Sequence, residues 1–354
     1  MICEAAGRMV TLKDIAQAAR TDTGTVSRVL RNHPKAHELR PATRERILRI
    51  AGELGYQRNL LASSVRTGVV NTMALIARFS PEDFFVSGAK VIDGLLEESV
   101  CHGYSIKVYA DSNLDLAFRE ISGSMIRLVV MTSTNCEARE AVARFCREKN
   151  LRLVYVFEHS NGEFPAVNVD NSAAARLAVR HLAEMGHRRI GLFCVPHRNY
   201  HYVSERHEGF LAGMAEAGLE AKPEWIVCTD ERENAVAEML SLPERNRPTA
   251  LFGISDFLLL HVQRYAFLHG IRIPEDLSLV GMGNMEAGNF AVVPLTSIEE
   301  DHREFGKVAV RALLDKETGV EKQESGMYLL PPRLIRRASS APPRKGSSEE
   351  RSLS

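Results

Sequence analysis

The stretch Val10–Gly68, VTLKDIAQAARTDTGTVSRVLRNHPKAHELRPATRERILRIAGELGYQRNLLASSVRTG, decides how the chain is read. Leu12, Ile15, Ala16 and Ala19 recur at helical spacing and mark one side of a first helix. Asp22 stands where an N-cap belongs, and Val26, Val29 and Leu30 line one face of a second helix. Two helices joined so tightly form a helix-turn-helix. Pro41 suits the first turn of a third helix and drives Arg40 out of helical geometry, while Gly55 suits its C-terminal end. Ile47, Ile50, Ala51 and Leu54 are spaced to close the core of a headpiece of roughly fifty residues, near the lower size for independent folding.

With Val26, Val29 and Leu30 turned inward, Thr23, Gly24, Ser27, Arg28 and Arg31 are expected to face out. Small residues let a helix approach a DNA major groove. Hydroxyls reach phosphates or base edges, and an arginine fork can take guanine O6 and N7 together. The same arginines would also suit a solvated face of an ordinary helical bundle.

The stretch resembles the N-terminus of the LacI/GalR transcription regulators, with the pattern V-T-x-x-D-[VI]-A-x-x-A-G-V-S-x-x-T-V-S-R-V-L-N, then T-R, then E-L-G-Y-x-P-N. Val10, Thr11, Asp14, Ile15, Ala16, Ala19, Thr25 through Leu30, Thr43, Arg44, Glu53 through Tyr56 and Asn59 keep it. Arg20, Thr21 and Asp22 replace Gly-Val-Ser, Arg31 replaces asparagine, Arg58 replaces proline, and the loop from Asn32 to Arg40 is longer than usual. Gly24 at a base-reading position costs about 1 kcal/mol of helix stability relative to alanine. The resemblance implies a hinge in 59–70 that becomes helical on operator DNA and wedges an apolar side chain into the minor groove. Val65 stands where the family usually has leucine, and Arg66 can track a narrowed groove. A plain interdomain linker is the alternative. Candidate DNA contacts are thus Thr11, Leu12, Thr23, Gly24, Thr25, Ser27, Arg28, Arg31, Tyr56, Asn59, Ala62, Val65 and Arg66.

Outside this stretch, the 354 residues suit two or three domains. Hydrophobic residues at 45% and charged residues at 25% are ordinary for a globular protein, and no run of about 18 apolar residues suggests a membrane span. MICEAAGRMV has no core for a signal peptide, and Met9 leaves residues 1–9 as an extension or a start-site artefact. Cys3, Cys101, Cys136, Cys146, Cys194 and Cys228 have no C-x-x-C spacing, which leads us to expect reduced, mostly buried thiols in a cytoplasm and no metal site. Net charge is zero, but residues 1–70 hold 12 Lys+Arg against 6 Asp+Glu, residues 333–354 hold 6 against 2, and the remainder 27 against 37. A basic head on an acidic body suits a DNA-binding module joined to a sensor.

From Asn71, apolar runs alternate with helical stretches. Strands are expected at Thr72–Ala77, Ser105–Tyr109, Leu128–Met131, Arg152–Val156, Val167–Val169, Arg189–Phe193, Trp225–Val227, Ala250–Gly253, Ser278–Gly281 and Leu295–Ile298. Helices are expected at Ala89–His102, Glu137–Asn150, Ala173–Met185, Glu205–Ala217, Phe257–His269 and Phe305–Asp315. The alternation specifies an α/β fold of doubly wound parallel sheets, and about 265 residues exceed one such core. The resemblance continues through Val169-Asp170-Asn171, His181-Leu182, Gly186–Ile190, Arg206-x-x-Gly209-Phe210, Pro248-Thr249-Ala250, Ile273–Ser278 and Pro294–Ile298. It implies two doubly wound α/β lobes of the periplasmic-binding-protein-like type I over 71–335, behind a small all-α headpiece at 10–58. The polar tail 336–354 is expected to be disordered, and it lacks the leucine heptads of a tetramer coil. A homodimer on a palindromic operator follows as the default.

Ligands of such lobes gather at strand carboxyl ends and in the cleft. Arg206 matches the family's cleft arginine, able to bind vicinal hydroxyls or a carboxylate. Ser255-Asp256 stands where the family has Asn-Asp. Gly283, in Gly281-Met282-Gly283-Asn284, replaces an aspartate that accepts hydrogen bonds from effectors in sugar- and purine-responsive members, which points to an effector unlike a simple hexose or to a weakly responsive sensor. Phe84 and Phe85, after the first strand, suit an apolar cleft wall or core packing. Asp170 and a cleft-facing loop around His201 complete the candidate set; His197, Glu205 and His207 lie nearby, in a segment whose geometry is unfixed. The expected function is a DNA-binding regulator, a repressor in most of the family, without cofactor and modulated by a small molecule such as a sugar derivative. An effector-independent or partner-controlled regulator is the alternative. A transport solute-binding protein would lack the headpiece, and no G-x-S-x-G, P-loop or H-E-x-x-H organises an enzyme.

Overall fold

A computed structural model describes residues 10–56, 70–78, 88–196, 201–229, 232–243 and 245–344. The chain divides at Val69 and Val70 into two compact units.

The first unit holds α1 (Leu12–Ala18), α2 (Thr23–Leu30) and α3 (Pro41–Glu53). A reciprocal cap starts α1: the Asp14 N–H donates to Thr11 Oγ1 at 3.3 Å, and the Thr11 N–H donates to Asp14 Oδ2 at 2.8 Å. Asp22 caps α2 through the Thr25 N–H at 2.8 Å. Ile15, Ala16, Ala19, Val26, Val29, Ile47 and Ala51 form the core, joined by Ala36 from a 3-10 turn, Pro34–Ala36, within the stretch expected to be loop. Leu54, expected in that core, is instead 41% exposed, because it caps the end of α3 beyond the last turn that faces the other helices.

The second unit contains two six-stranded sheets. One has the order β11-β5-β4-β3-β1-β2 and is built from β1 (Thr72–Ala77), β2 (Ser105–Ala110), β3 (Leu128–Met131), β4 (Arg152–Val156), β5 (Ala166–Val169) and β11 (Met327–Leu330). The other has the order β12-β10-β9-β8-β6-β7, from β6 (Ile190–Cys194), β7 (Ile226–Cys228), β8 (Ala250–Gly253), β9 (Ser278–Met282), β10 (Thr296–Glu299) and β12 (Arg333–Ile335). The strands within each sheet pair in parallel except β10 with β12, and an isolated antiparallel bridge joins Lys322 to Tyr328. The helices are α4 (Ala89–Cys101), α5 (Leu114–Gly123), α6 (Cys136–Glu148), α7 (Asn171–Glu184), α8 (His201–Glu216), α9 (Arg232–Leu240), α10 (Asp256–Leu268), α11 (Glu286–Asn289) and α12 (His302–Leu313). The chain passes between sheets after β5, after β10 and between β11 and β12, so each lobe is discontinuous in sequence. In the first lobe α12 crosses α4 at two glycines. A Cβ on Gly94 would stand 1.9 Å from the Arg303 carbonyl oxygen, and one on Gly306 would stand 2.2 Å from that of Val91.

Two expectations are corrected. The tail does not become featureless at Arg336: residues 336–344 cross the second lobe as a strap. Ser339 is fully buried, its Oγ accepts from the Thr296 N–H at 2.8 Å and donates to the Leu279 carbonyl at 2.7 Å. The Ala341 carbonyl accepts from Ser278 Oγ at 2.9 Å and pairs with His187 Nε2 at 2.8 Å. Polar composition here serves hydrogen bonding to the amino ends of β9 and β10 instead of solvation. Nor are the cysteines all reduced and mostly buried. The register of β6 on β7 sets Cys194 beside Cys228, with Cα atoms 4.6 Å apart and a disulfide between them. Cys101 and Cys136 are exposed, and burial pushes the Cys146 thiol up to about 12.

Candidate functional site

On the headpiece, Thr23, Gly24 and Arg31 are exposed and Arg28 is half-buried, along the outer side of α2. Ser27, expected on that surface, and Thr25, a candidate DNA contact, are buried. The reason is local. Thr25 turns its hydroxyl to Asp22 Oδ2 at 2.6 Å and accepts from Arg28 Nη2 at 3.0 Å, while Arg31 Nε donates to the Ser27 carbonyl at 3.0 Å. The arginines thus fold over the small residues. Thr11 is exposed, and Leu12 and Tyr56 pack partly against the headpiece core. Asn59, Ala62, Val65 and Arg66 lie outside the described residues.

In the second unit a cavity of about 210 Å³ opens at the carboxyl ends of both sheets. The first lobe contributes Ala77 at the end of β1 and Arg78 after it, Thr132 and Thr134 after β3, Phe157 after β4 and Asn168 in β5. The second contributes Ser255 after β8, Met282 and Gly283 at β9, and Tyr202 and Arg206 on α8; Glu300 and His302 come from the crossing between lobes. Open α/β sheets bind ligands at this end.

Arg206 is the hub. Its Nε donates to Asn171 Oδ1 at 2.7 Å, Nη1 to the Ile254 carbonyl at 2.7 Å and Nη2 to Glu300 Oε2 at 2.9 Å, and its guanidinium lies 4.9 Å from the Tyr202 ring centre. His302 Nε2 also approaches Glu300 Oε2, at 3.3 Å. Burial alone would raise the Glu300 pKa, but Arg206 and His302 outweigh it and hold the carboxyl at about 2.

Of the residues proposed from sequence, Arg206, Ser255 and Gly283 line this cavity. Gly283 has φ of +113°, a conformation that excludes an aspartate without strain, so the missing carboxylate belongs to a differently shaped turn. Asp256 stands outside the lining. It is fully buried, accepting from the Met285 N–H and from Ser297 Oγ, each at 2.8 Å, and burial raises its pKa to about 7. Asn284 bonds Ser297, Glu299 and Arg337, Asp170 caps α7 through the Ala173 N–H at 2.7 Å, and His201 stacks on His159 with centroids 4.5 Å apart; none of the three lines the cavity. Phe84 and Phe85 lie outside the described residues; Phe157 and Ile92 supply apolar wall instead. Glu300, His302, Phe157 and Tyr202 were missed because no local motif separates them from neighbouring residues of the same type.

Residues 11–59 match the profile of the bacterial regulatory proteins of the lacI family, and residues 179–340 match the periplasmic binding protein-like domain. The chain is 31% identical over 345 residues to the HTH-type transcriptional repressor CytR of Escherichia coli (strain K12), covering 93% of this chain and 96% of that one. The chain belongs to the lacI family. It is also 31% identical over 350 residues to the HTH-type transcriptional repressor PurR of Aliivibrio fischeri (strain MJ11), covering 94% and 98%. The fold matches the lac repressor dimer bound to operator and the anti-inducer ONPF with a TM-score of 0.73, at 21% identity, over 94% of this chain and 100% of that one. As a lacI-family member the chain is a DNA-binding transcription regulator with an effector-binding type of body, and it is not an enzyme. No helix among the described residues is long and apolar enough to cross a membrane.

Proposed function

We propose that the chain is a cytoplasmic repressor that binds a palindromic operator as a homodimer and is modulated by a small molecule in the interlobe cavity. Thr23, Gly24, Arg28 and Arg31 meet base edges and phosphates, Thr11, Leu12, Thr25, Ser27 and Tyr56 support or flank that surface, and the 59–70 hinge, with Val65, enters the minor groove. The observation that carries the effector reading is the cavity's construction. Its walls come from both sheets, so a molecule filling it contacts both lobes and favours one closure state. Exposed Phe290 and Val292 near α11, and Phe267 and Leu268 at the end of α10, offer a second copy an apolar face.

Linkage supplies the test. A thermal-shift screen of sugars, nucleosides and sugar acids identifies a ligand, and titrations in both directions follow. Operator DNA changes ligand affinity by the same factor that ligand changes operator affinity. Unequal factors at equilibrium rule out the coupling, and an unchanged ligand response in Arg206→Ala removes the cavity as the site.

A further inference from the structure

One carboxylate in the cavity has a half-committed set of contacts. Glu300 is 6% exposed and lines the cavity. Its Oε2 is held by Arg206 Nη2 and faces His302 Nε2. Its Oε1 accepts from no donor among the described residues and lies 3.8 Å from the position a Cβ on Gly283 would occupy. The space opened by the bare Gly283 backbone is therefore bordered by an ionised oxygen from a different strand end. Beside it, Arg206 uses Nε, Nη1 and Nη2 once each. A guanidinium carries five N–H groups, so one on each Nη is left for a ligand.

We infer that Glu300 sets the chemical class of effector: the cavity takes an uncharged, hydroxylated molecule that donates a proton to Glu300 Oε1 while accepting from Arg206, and it rejects anions. This rests on the effector reading above. An adjacent donor and acceptor suit a hydroxyl pair, because each hydroxyl both gives and accepts a hydrogen bond. A phosphate or carboxylate in the same place has no proton for Oε1 and sits against a second negative charge in a poorly hydrated site. The cations do not compensate, since Arg206 is already paired with Glu300, and Arg78 lies 3.8 Å from Asp111. Phe157, Ile92, Met282 and Met285 give the ligand an apolar face to rest on. Burial works against ionisation of Glu300, but Arg206 and His302 overcome it and keep the group charged at neutral pH.

The test uses the full chain and matched probes: D-ribose with ribose 5-phosphate, D-glucose with glucose 6-phosphate and gluconate, and adenosine and cytidine with their 5′-monophosphates. Thermal shift and calorimetry are run on wild type and Glu300→Gln, with operator binding followed in parallel. At least one neutral probe binds wild type, and its anionic counterpart binds about a hundredfold more weakly or not at all. Glu300→Gln weakens the neutral probe by roughly ten- to a hundredfold, the range for a hydrogen bond to a charged group, and narrows the gap to the anion. Anionic probes binding wild type as well as their neutral partners overturn the role of Glu300 while leaving a small-molecule effector standing. Silence from every probe, with operator binding intact, removes the effector reading and this inference with it. Should Glu300→Gln fail to fold, the wild-type comparison alone still decides.

Discussion

Replacing Arg206 by leucine separates two contributions that the cavity combines. The substitution removes hydrogen bonds to Asn171, to the Ile254 carbonyl and to Glu300, and strands Glu300 as a buried charge. In the native protein Glu300 titrates at about 2 instead of its ordinary 4.5, a difference of about 3 kcal/mol at 1.36 kcal/mol per unit. Breaking one side of a buried ion pair costs about 3–5 kcal/mol, so the two routes agree on the size of the loss at neutral pH. Because the native pKa is depressed, this stabilisation is fully present above about 4.5 and disappears as pH falls through about 2. In Arg206→Leu the buried carboxyl loses its main counter-charge and takes a proton more readily, so the deficit shrinks as pH is lowered from 8 to 5. Urea unfolding followed by Trp225 measures it well: Trp225 is the only tryptophan of the chain, it is 3% exposed, and it precedes β7 in the second lobe. The double variant Arg206→Leu/Glu300→Leu recovers at least half of the lost stability, since no orphan charge remains. A loss below about 1 kcal/mol, or a double variant no better than the single one, would refute the reasoning that Glu300 is held ionised by Arg206.

Other perturbations report on the frame around the cavity. Gly306→Ala forces a methyl within 2.2 Å of the Val91 carbonyl oxygen, so α4 and α12 must separate. Thermal unfolding is expected to record a loss of about 2–3 kcal/mol, and a neutral result would contradict the close helix crossing. Deleting residues 336–354 strips the Leu279 and Thr296 N–H groups and His187 Nε2 of partners, at a cost of about 4 kcal/mol; deleting only 345–354 leaves stability unchanged. Equal melting curves for both truncations would show that the strap contributes nothing. Replacing Val65 by alanine tests the proposed wedge: the operator bend decreases, and an unchanged bend excludes that side chain.

Much of this frame was legible as pattern. Thr72–Ala77, Leu128–Met131, Arg152–Val156 and Ala250–Gly253 are strands with the limits expected from sequence, because parallel strands covered on both faces read as unbroken apolar runs. The edge strands Met327–Leu330 and Arg333–Ile335 flank Pro331-Pro332 and are only partly buried, and neither was picked out from the sequence. The helices Leu114–Gly123 and Arg232–Leu240 were likewise not picked out from the sequence. The cavity was harder still. Glu299, Glu300 and Asp301 are adjacent acids, yet Glu299 pairs with Arg333, Asp301 caps α12, and only Glu300 enters the cavity. What distinguishes them is the direction in which the chain leaves β10, a property of the lobe crossing and of no local motif. The buried Ser27 has the same lesson at smaller scale: helical phase puts it at the surface, and Arg31, bonded to its carbonyl, folds back over it.

The central claim is that the outer side of α2 reads a DNA sequence in a symmetric dimer. Its most direct measurement is fluorescence anisotropy of the purified chain on a footprinted palindromic site against random duplex at moderate salt, with wild type and Arg28→Ala. The account predicts at least a roughly thousandfold preference for the site in wild type, and a loss of about 1–3 kcal/mol on that site alone in the variant. Equal affinity for both duplexes, or an Arg28→Ala protein with undiminished preference, would contradict it.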